Sequence, residues 1–224
     1  MAAPTTLLVM AKAPVPGRVK TRLCPPCRPE HAAAIAAAAL ADTLEVVAAC
    51  AADRKVVALA GEPGPWLPTG VAVIPQVAGS FEARLRAAWA SVSGPTVQIG
   101  MDTPQVSVEL LDGALDAVRG PSSAVLGPAT DGGWWALGMR DPVATVFAGV
   151  PMSTHATGDV QLCALRAHGM EPVLLPVLRD IDTIADAEAV AATIPGSRTA
   201  VQVAAALVRV SATSGAGDGA AVRR

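Results

Sequence analysis

The apolar residues of this chain fall into short dense runs, separated by alanine-rich stretches in which larger apolar side chains recur at helical spacing. Leu7 to Ala11 (LLVMA) is an unbroken apolar run, as expected of a strand buried on both faces. Lys55 to Ala60, Val71 to Pro75, Thr96 to Gly100, Ser123 to Leu126 and Glu171 to Val177 predict further strands. Glu30 to Ala52 carries Ile35, Leu40, Leu44 and Val47 at near-helical spacing, and Ser80 to Val92 puts Phe81, Leu85, Ala88 and Trp89 on one side. Val108 to Val118, Pro151 to His168 and a segment with Ala185, Ala189 and Ala192 are the other predicted helices. Strands alternating with helices predict an α/β protein with a mostly parallel sheet wrapped by helices.

The 224 residues, 52% of them hydrophobic, suit one domain of ordinary size over residues 1–210. From Ser211 the chain is Gly, Ala, Ser and Arg without periodicity, and a disordered tail is expected over 211–224. No apolar run approaches the roughly eighteen residues of a membrane span, and Met1 to Met10 lacks the charged start of a signal peptide. A cytoplasmic protein is expected. Cys24, Cys27, Cys50 and Cys163 form no disulfide framework. Cys24-Pro25-Pro26-Cys27 has no second pair to complete a zinc site, and it reads as two loop thiols.

Charge changes the picture at one place. The formal net charge is −2, yet Lys12, Arg18, Lys20 and Arg22 follow the first strand closely, with no acid before Glu30. Pro14 and Pro16 stiffen this loop, and Gly17 lets it turn close to a ligand. A strand, a cationic loop and then a helix is how open α/β sheets bind phosphates at the carboxyl ends of their strands. Neither GxGxxG nor GxxxxGK[ST] is present, so neither the dinucleotide nor the Walker mechanism is encoded.

Acids follow at three strand ends. Asp102, in Met101-Asp102-Thr103-Pro104, either binds a metal with the substrate phosphates or caps the next helix. Gly127 to Trp135 (GPATDGGWW) contains Asp131, Gly132, Gly133, Trp134 and Trp135. It reads either as a pocket wall, one indole facing the core and one the pocket, or as a hairpin turn with both rings packed. His155 is a candidate ligand beside Ser153 and Thr154, either of which could cap the following helix. Asp182 is a second metal candidate, or it shares with Thr183 the capping of the helix after it.

Together AKAPVPGRVKTRL (Ala11 to Leu23), IGMDTP (Ile99 to Pro104), LGPATDGGWWALG (Leu126 to Gly138), GVPMST (Gly149 to Thr154) and RDIDT (Arg179 to Thr183) resemble one bacterial group. It is the radical-SAM/selenodomain-associated transferase family, type one, a branch of the GT-A-fold nucleotide-diphospho-sugar transferases. The resemblance spans about residues 6 to 190. It implies a three-layer α/β/α Rossmann-like sandwich and a transferase handling a nucleotide-diphosphate sugar or related nucleotide. By position, Ala11, Lys12, Gly17, Arg18, Lys20 and Arg22 look like the nucleotide and phosphate loop, and Asp102 like the metal-binding acid. Asp131 with Gly132 and Gly133 looks like the acceptor-side segment. The sequence departs from the pattern at Asp102, where one acid stands in place of DxD, at Met152, where a larger aromatic is expected, and at Cys24 to Cys27.

The expected reaction is glycosyl transfer with Mg²⁺ or Mn²⁺ on Asp102 and Asp182, Lys20 at the diphosphate and Asp131 orienting or deprotonating the acceptor. One alternative is nucleotidyl transfer from an NTP to a phosphorylated small molecule, with release of pyrophosphate. Another is a nucleotide-binding protein without turnover. The expected partners are a nucleotide or nucleotide-sugar donor and a small-molecule acceptor, with no nucleic acid and no membrane span; a homodimer is left open.

Overall fold

The computed structural model describes residues 3–120 and 123–215. Seven strands form one sheet: β1 (Thr6–Lys12), β2 (Arg54–Ala60), β3 (Ala72–Pro75), β4 (Thr96–Gly100), β5 (Ala124–Pro128), β6 (Trp134–Met139) and β7 (Val173–Leu174). Six α-helices accompany them: α1 (Pro29–Ala49), α2 (Phe81–Ala90), α3 (Val108–Arg119), α4 (Thr157–Ala167), α5 (Ile184–Thr193) and α6 (Arg198–Gly215). The strand order is β3-β2-β1-β4-β6-β5-β7. All pairs are parallel except those of β6, which runs antiparallel to both β4 and β5.

β1 is central and its first six residues are buried, which is why the run is apolar without alternation. Leu7, Val9 and Ala11 face α1 and α3, while Leu8 and Met10 face α2, Phe147 and Leu165 of α4. A third apolar cluster joins α1 to α5 and α6 through Ile35, Val190 and Val203, and takes in Leu23 and Ile181 from two loops. The expected layered sandwich is therefore present. The parallel register pairs Met10 with Gly100, so the residues after β1 and those after β4 leave the sheet side by side at one edge.

Several elements differ from expectation. β6 is a full strand, closing a hairpin with β5 across Asp131 and Gly132; the Ala129 amide donates to the Gly133 carbonyl at 3.0 Å. The strand expected over 171–177 shortens to Val173–Leu174, because Pro172 and Pro176 bring no amide to a ladder. α6 is an additional helix, and its first residues bury Thr199, Val203 and Ala206. It runs to Gly215, so residues 211–215 of the expected tail are helical; 216–224 lie outside the described residues.

α1 corrects the reading that no stretch is long and apolar enough to cross a membrane: by length and composition it is, with a mean hydropathy of 1.7. Packing accounts for that apolarity, since 61% of the stretch is buried, Ile35, Leu40, Leu44 and Val47 completely.

Candidate active site

The loop after β1 turns at Gly17, whose φ of 73° favours glycine, and where the Arg18 amide reaches the Val15 carbonyl at 3.0 Å. Lys20 itself is left-handed (φ 47°), starting a single 3-10 turn over Thr21–Leu23 that Leu23 anchors in the core. A left-handed non-glycine residue costs about 1 kcal/mol or more. The return is an inward ammonium: the side chain of Lys20 is only 8% exposed, with Nζ 2.8 Å from Asp102 Oδ2 and 3.5 Å from Asp182 Oδ1. Burial lowers the pKa of Lys20, but the charge and hydrogen bond of Asp102, then Asp182 and Asp180, outweigh it and the pKa is raised. Arg22 Nη1 meets Asp182 Oδ2 at 2.7 Å from a more exposed position. Lys12 and Arg18 are exposed at the cleft and have no carboxylate partner among the described residues.

The capping alternatives are decided by other side chains. Ser107, not Asp102, caps α3 through the Leu110 amide, and Thr183 caps α5 in a reciprocal box with Asp186. Asp102 and Asp182 are thereby left to the cleft. At α4 the expected Ser153 or Thr154 cap is not formed: the N-cap is Ala156, with no side-chain cap. Thr154 and Thr157 bond each other instead, and Thr157 Oγ1 donates to the Pro151 carbonyl at 2.6 Å.

Asp180 is the site residue missed in the sequence. Its carboxylate, with those of Asp131 and Asp182, offers oxygens all within 4.8 Å of one another. A signal existed: Asp180-Ile181-Asp182 has the DxD spacing sought at Asp102. Ile181 is fully buried, and its amide donates to the Asp102 carbonyl at 3.0 Å, so the two flanking acids share the cleft side. Burial, then the charges of Asp131 and Asp182, push Asp180 up to about 6. Lys20 and Arg22 therefore leave negative charge uncompensated here. An all-oxygen donor set of this spacing suits a hard divalent cation such as Mg²⁺ or Mn²⁺. Asp102, expected as the metal ligand, lies outside this trio and faces Lys20.

Asp131 accepts the Gly133 amide at 2.7 Å in the hairpin turn and also lines the cleft. Gly132 has a φ of 88°, and a Cβ there would lie 2.2 Å from the His155 carbonyl oxygen. That contact corrects the role of His155, whose side chain does not line the cleft and whose backbone carries the packing. Trp135 is buried against Gly127, its Nε1–H donating to the Pro176 carbonyl at 2.9 Å. Trp134 points to the other face, 6.4 Å from Phe147, and its buried Nε1 has no partner. Trp134 and Trp135 are both among the residues lining a cavity of about 610 Å³, with Lys12, Asp102 and Thr154. A second cavity of about 250 Å³, lined by Arg18, Lys20 and Asp182 among others, adjoins it under the loop.

The sheet order, with the chain leaving β1 and β4 side by side at one edge and helices on both faces, defines a three-layer α/β/α fold. The chain belongs to the bacterial family described as "Uncharacterized protein conserved in bacteria (DUF2064)", whose profile matches residues 34–154. It resembles a nucleotide-diphospho-sugar transferase-like protein from Desulfovibrio desulfuricans G20, with a TM-score of 0.82 at 23% identity over 95% of this chain and 98% of that one. Rv0371c of Mycobacterium tuberculosis H37Rv, solved in complex with manganese, aligns with a TM-score of 0.51 at 22% identity over 85% and 98%. CMP:2-keto-3-deoxy-manno-octonic acid synthetase, solved with CTP, aligns with a TM-score of 0.51 at 13% identity over 84% and 97%. No curated protein matches the sequence.

Proposed function

We propose that the chain is a divalent-metal-dependent transferase that grips the diphosphate of a nucleotide-sugar donor and passes the sugar to a small-molecule acceptor. This takes up the narrower resemblance to the radical-SAM/selenodomain-associated transferases. The observation that carries it is the convergence of the cationic loop and four carboxylates on one cleft, marked by Lys20 Nζ at 2.8 Å from Asp102.

Asp180 and Asp182, with Asp131, would hold the ion, which when bound supplies positive charge to neutralise the departing diphosphate. Lys12 and Arg18, without a carboxylate partner among the described residues, would take the outer phosphate oxygens, and Arg22 would exchange Asp182 for phosphate. Lys20 lies between Asp102 and Asp182, where it holds the loop on the strand ends and would offset the negative charge that develops on the leaving diphosphate. Asp131, the exposed member of the trio, orients or deprotonates the acceptor hydroxyl. The fold shared with the D. desulfuricans protein supports this reading, and the manganese bound by Rv0371c supports the ion.

One observation favours nucleotidyl transfer as a second reading. Asp131 sits among the metal-candidate acids rather than apart as a free base, and attack by an already ionised acceptor needs no base. The CTP-bound synthetase supports this alternative. Product analysis separates the two: glycosyl transfer releases a nucleoside diphosphate, nucleotidyl transfer pyrophosphate. Thermal shift against a panel of nucleotides and nucleotide sugars with Mn²⁺ identifies the donor, since a ligand of the folded state raises the melting temperature. Absence of a shift across the panel refutes both readings; a shift without turnover leaves a nucleotide-binding protein.

A further inference from the structure

We propose that Arg84 is the receptor for a second oxyanion, a phosphate or carboxylate carried by the acceptor, on the part of the large cavity's wall that Gln76 and α2 supply. The site is built on β3 and α2. Gln76, just past β3, donates through Nε2 to the carbonyls of Ala11 and Ala58, both at 2.8 Å. Both amide hydrogens are thereby used, and Oε1 is left to accept Arg84 Nη1 at 3.1 Å. The guanidinium carbon lies 5.2 Å from the centroid of the Phe81 ring. Two independent contacts thus hold the plane of Arg84 in place on the wall of the cavity.

What this guanidinium lacks is a counter-charge. Among the described residues no carboxylate pairs with Arg84, and its Nε is buried without a hydrogen-bond partner. Glu82, on the same helix, pairs with Arg86 instead. An oriented, partly enclosed guanidinium without an acid is costly to keep unless a ligand supplies the anion, and its fork matches the two oxygens of a carboxylate or phosphate. The surroundings point the same way. Of eight buried side-chain polar atoms without a partner among the described residues, three belong to residues lining this cavity: Arg84 Nε, Thr103 Oγ1 and Trp134 Nε1.

This anion differs from the diphosphate. Arg18 and Lys20 line only the smaller cavity under the loop, Arg84 only the larger, while Lys12 and Arg22 border both. The cations of the smaller cavity and the guanidinium on the wall of the larger one accommodate two anionic groups at once. The assignment of the second group to the acceptor rests on the transferase reading; the oxyanion site itself does not.

Calorimetric titration of the full chain with inorganic phosphate, and separately with glycolate as a single carboxylate, tests the site. Wild type takes up two equivalents of phosphate, one at the loop and one at Arg84. Arg84→Met loses one equivalent, or binds it about 10- to 100-fold more weakly, the loss of one charge-assisted contact. A Lys12→Met/Arg18→Met double variant loses the other and keeps the Arg84 equivalent. Glycolate bound by wild type and lost in Arg84→Met identifies a carboxylate as the partner, and phosphate alone behaving so identifies a phosphate. Should Arg84→Met fail to fold, Arg84→Lys, which keeps the charge but not the fork, weakens the same equivalent several-fold. Unchanged stoichiometry and affinity in the Arg84 variants, or no anion bound beyond the loop equivalent in wild type, overturns the proposal. Nucleotide binding with Mn²⁺ is measured in parallel, so its absence refutes the transferase reading without touching the anion site.

Discussion

Asp180→Asn replaces the carboxyl that the other two acids crowd, and it separates a cost in the empty cleft from a gain in the loaded one. In the fold Asp180 titrates at about 6, against 3.8 for an ordinary aspartate. One pH unit corresponds to about 1.4 kcal/mol, so the full gap would be about 3 kcal/mol. Part of the group faces solvent, and screening reduces this to about 1–2 kcal/mol. The sign follows from proton linkage. A carboxyl with a raised pKa holds its proton longer in the folded than in the unfolded chain, so the fold is penalised above about pH 6. The penalty fades as the pH falls from about 6 towards 3.8. In EDTA at pH 7.5, Asp180→Asn should therefore melt about 2–8 °C above wild type, at about 2–4 °C per kcal/mol for a chain of this size. At pH 4.5 most of that gain disappears. Saturating Mn²⁺ reverses the order, because wild type gains the binding energy of an ion that the variant holds poorly. Calorimetric melting with and without the ion reads all three. A variant no more stable than wild type in EDTA at pH 7.5, or stabilised equally by Mn²⁺, refutes the trio as a cation site.

Lys20→Met leaves Asp102 and Asp182 without their shared ammonium. It should lower stability by about 1–3 kcal/mol and weaken binding of a nucleotide with Mn²⁺ about 10- to 100-fold, as read by urea unfolding and calorimetry. Gly132→Ala puts a methyl 2.2 Å from the His155 carbonyl at a φ of 88°. The hairpin and the start of α4 must separate, at about 2–4 kcal/mol, with faster amide exchange at Gly158, which bonds the Gly132 carbonyl. Trp135→Phe keeps an aromatic ring but removes the hydrogen bond to the Pro176 carbonyl. It should cost about 1–2 kcal/mol and loosen the chain from β7 to Asp180, seen as exchange at the Leu178 amide, which bonds the Pro128 carbonyl.

Much of this was legible along the chain. β1 is an apolar run because both of its faces are covered, so composition alone locates it, and the cations between Lys12 and Arg22 oppose the net charge of the whole. The loop-plus-acid arrangement followed from these two facts, and Lys20 with Asp102 realises it at 2.8 Å. Capping was less legible. Ser107, Thr183 and Asp102 are all competent caps by type, and only the backbone at each helix start selects among them.

What the sequence by itself determined is local: which stretches are buried on two faces, where the chain must turn, and where charge accumulates against the background. These depend on side chains near one another along the chain. Tertiary structure alone decided the partners across distance. Asp131 meets Asp180 and Asp182, Gln76 orients Arg84 across three strands, and an Ala-rich stretch becomes α6 because α1 offers it a face. The physical reason is that such pairings are set by strand order and loop closure, which bring together residues whose spacing along the chain carries no trace of the contact.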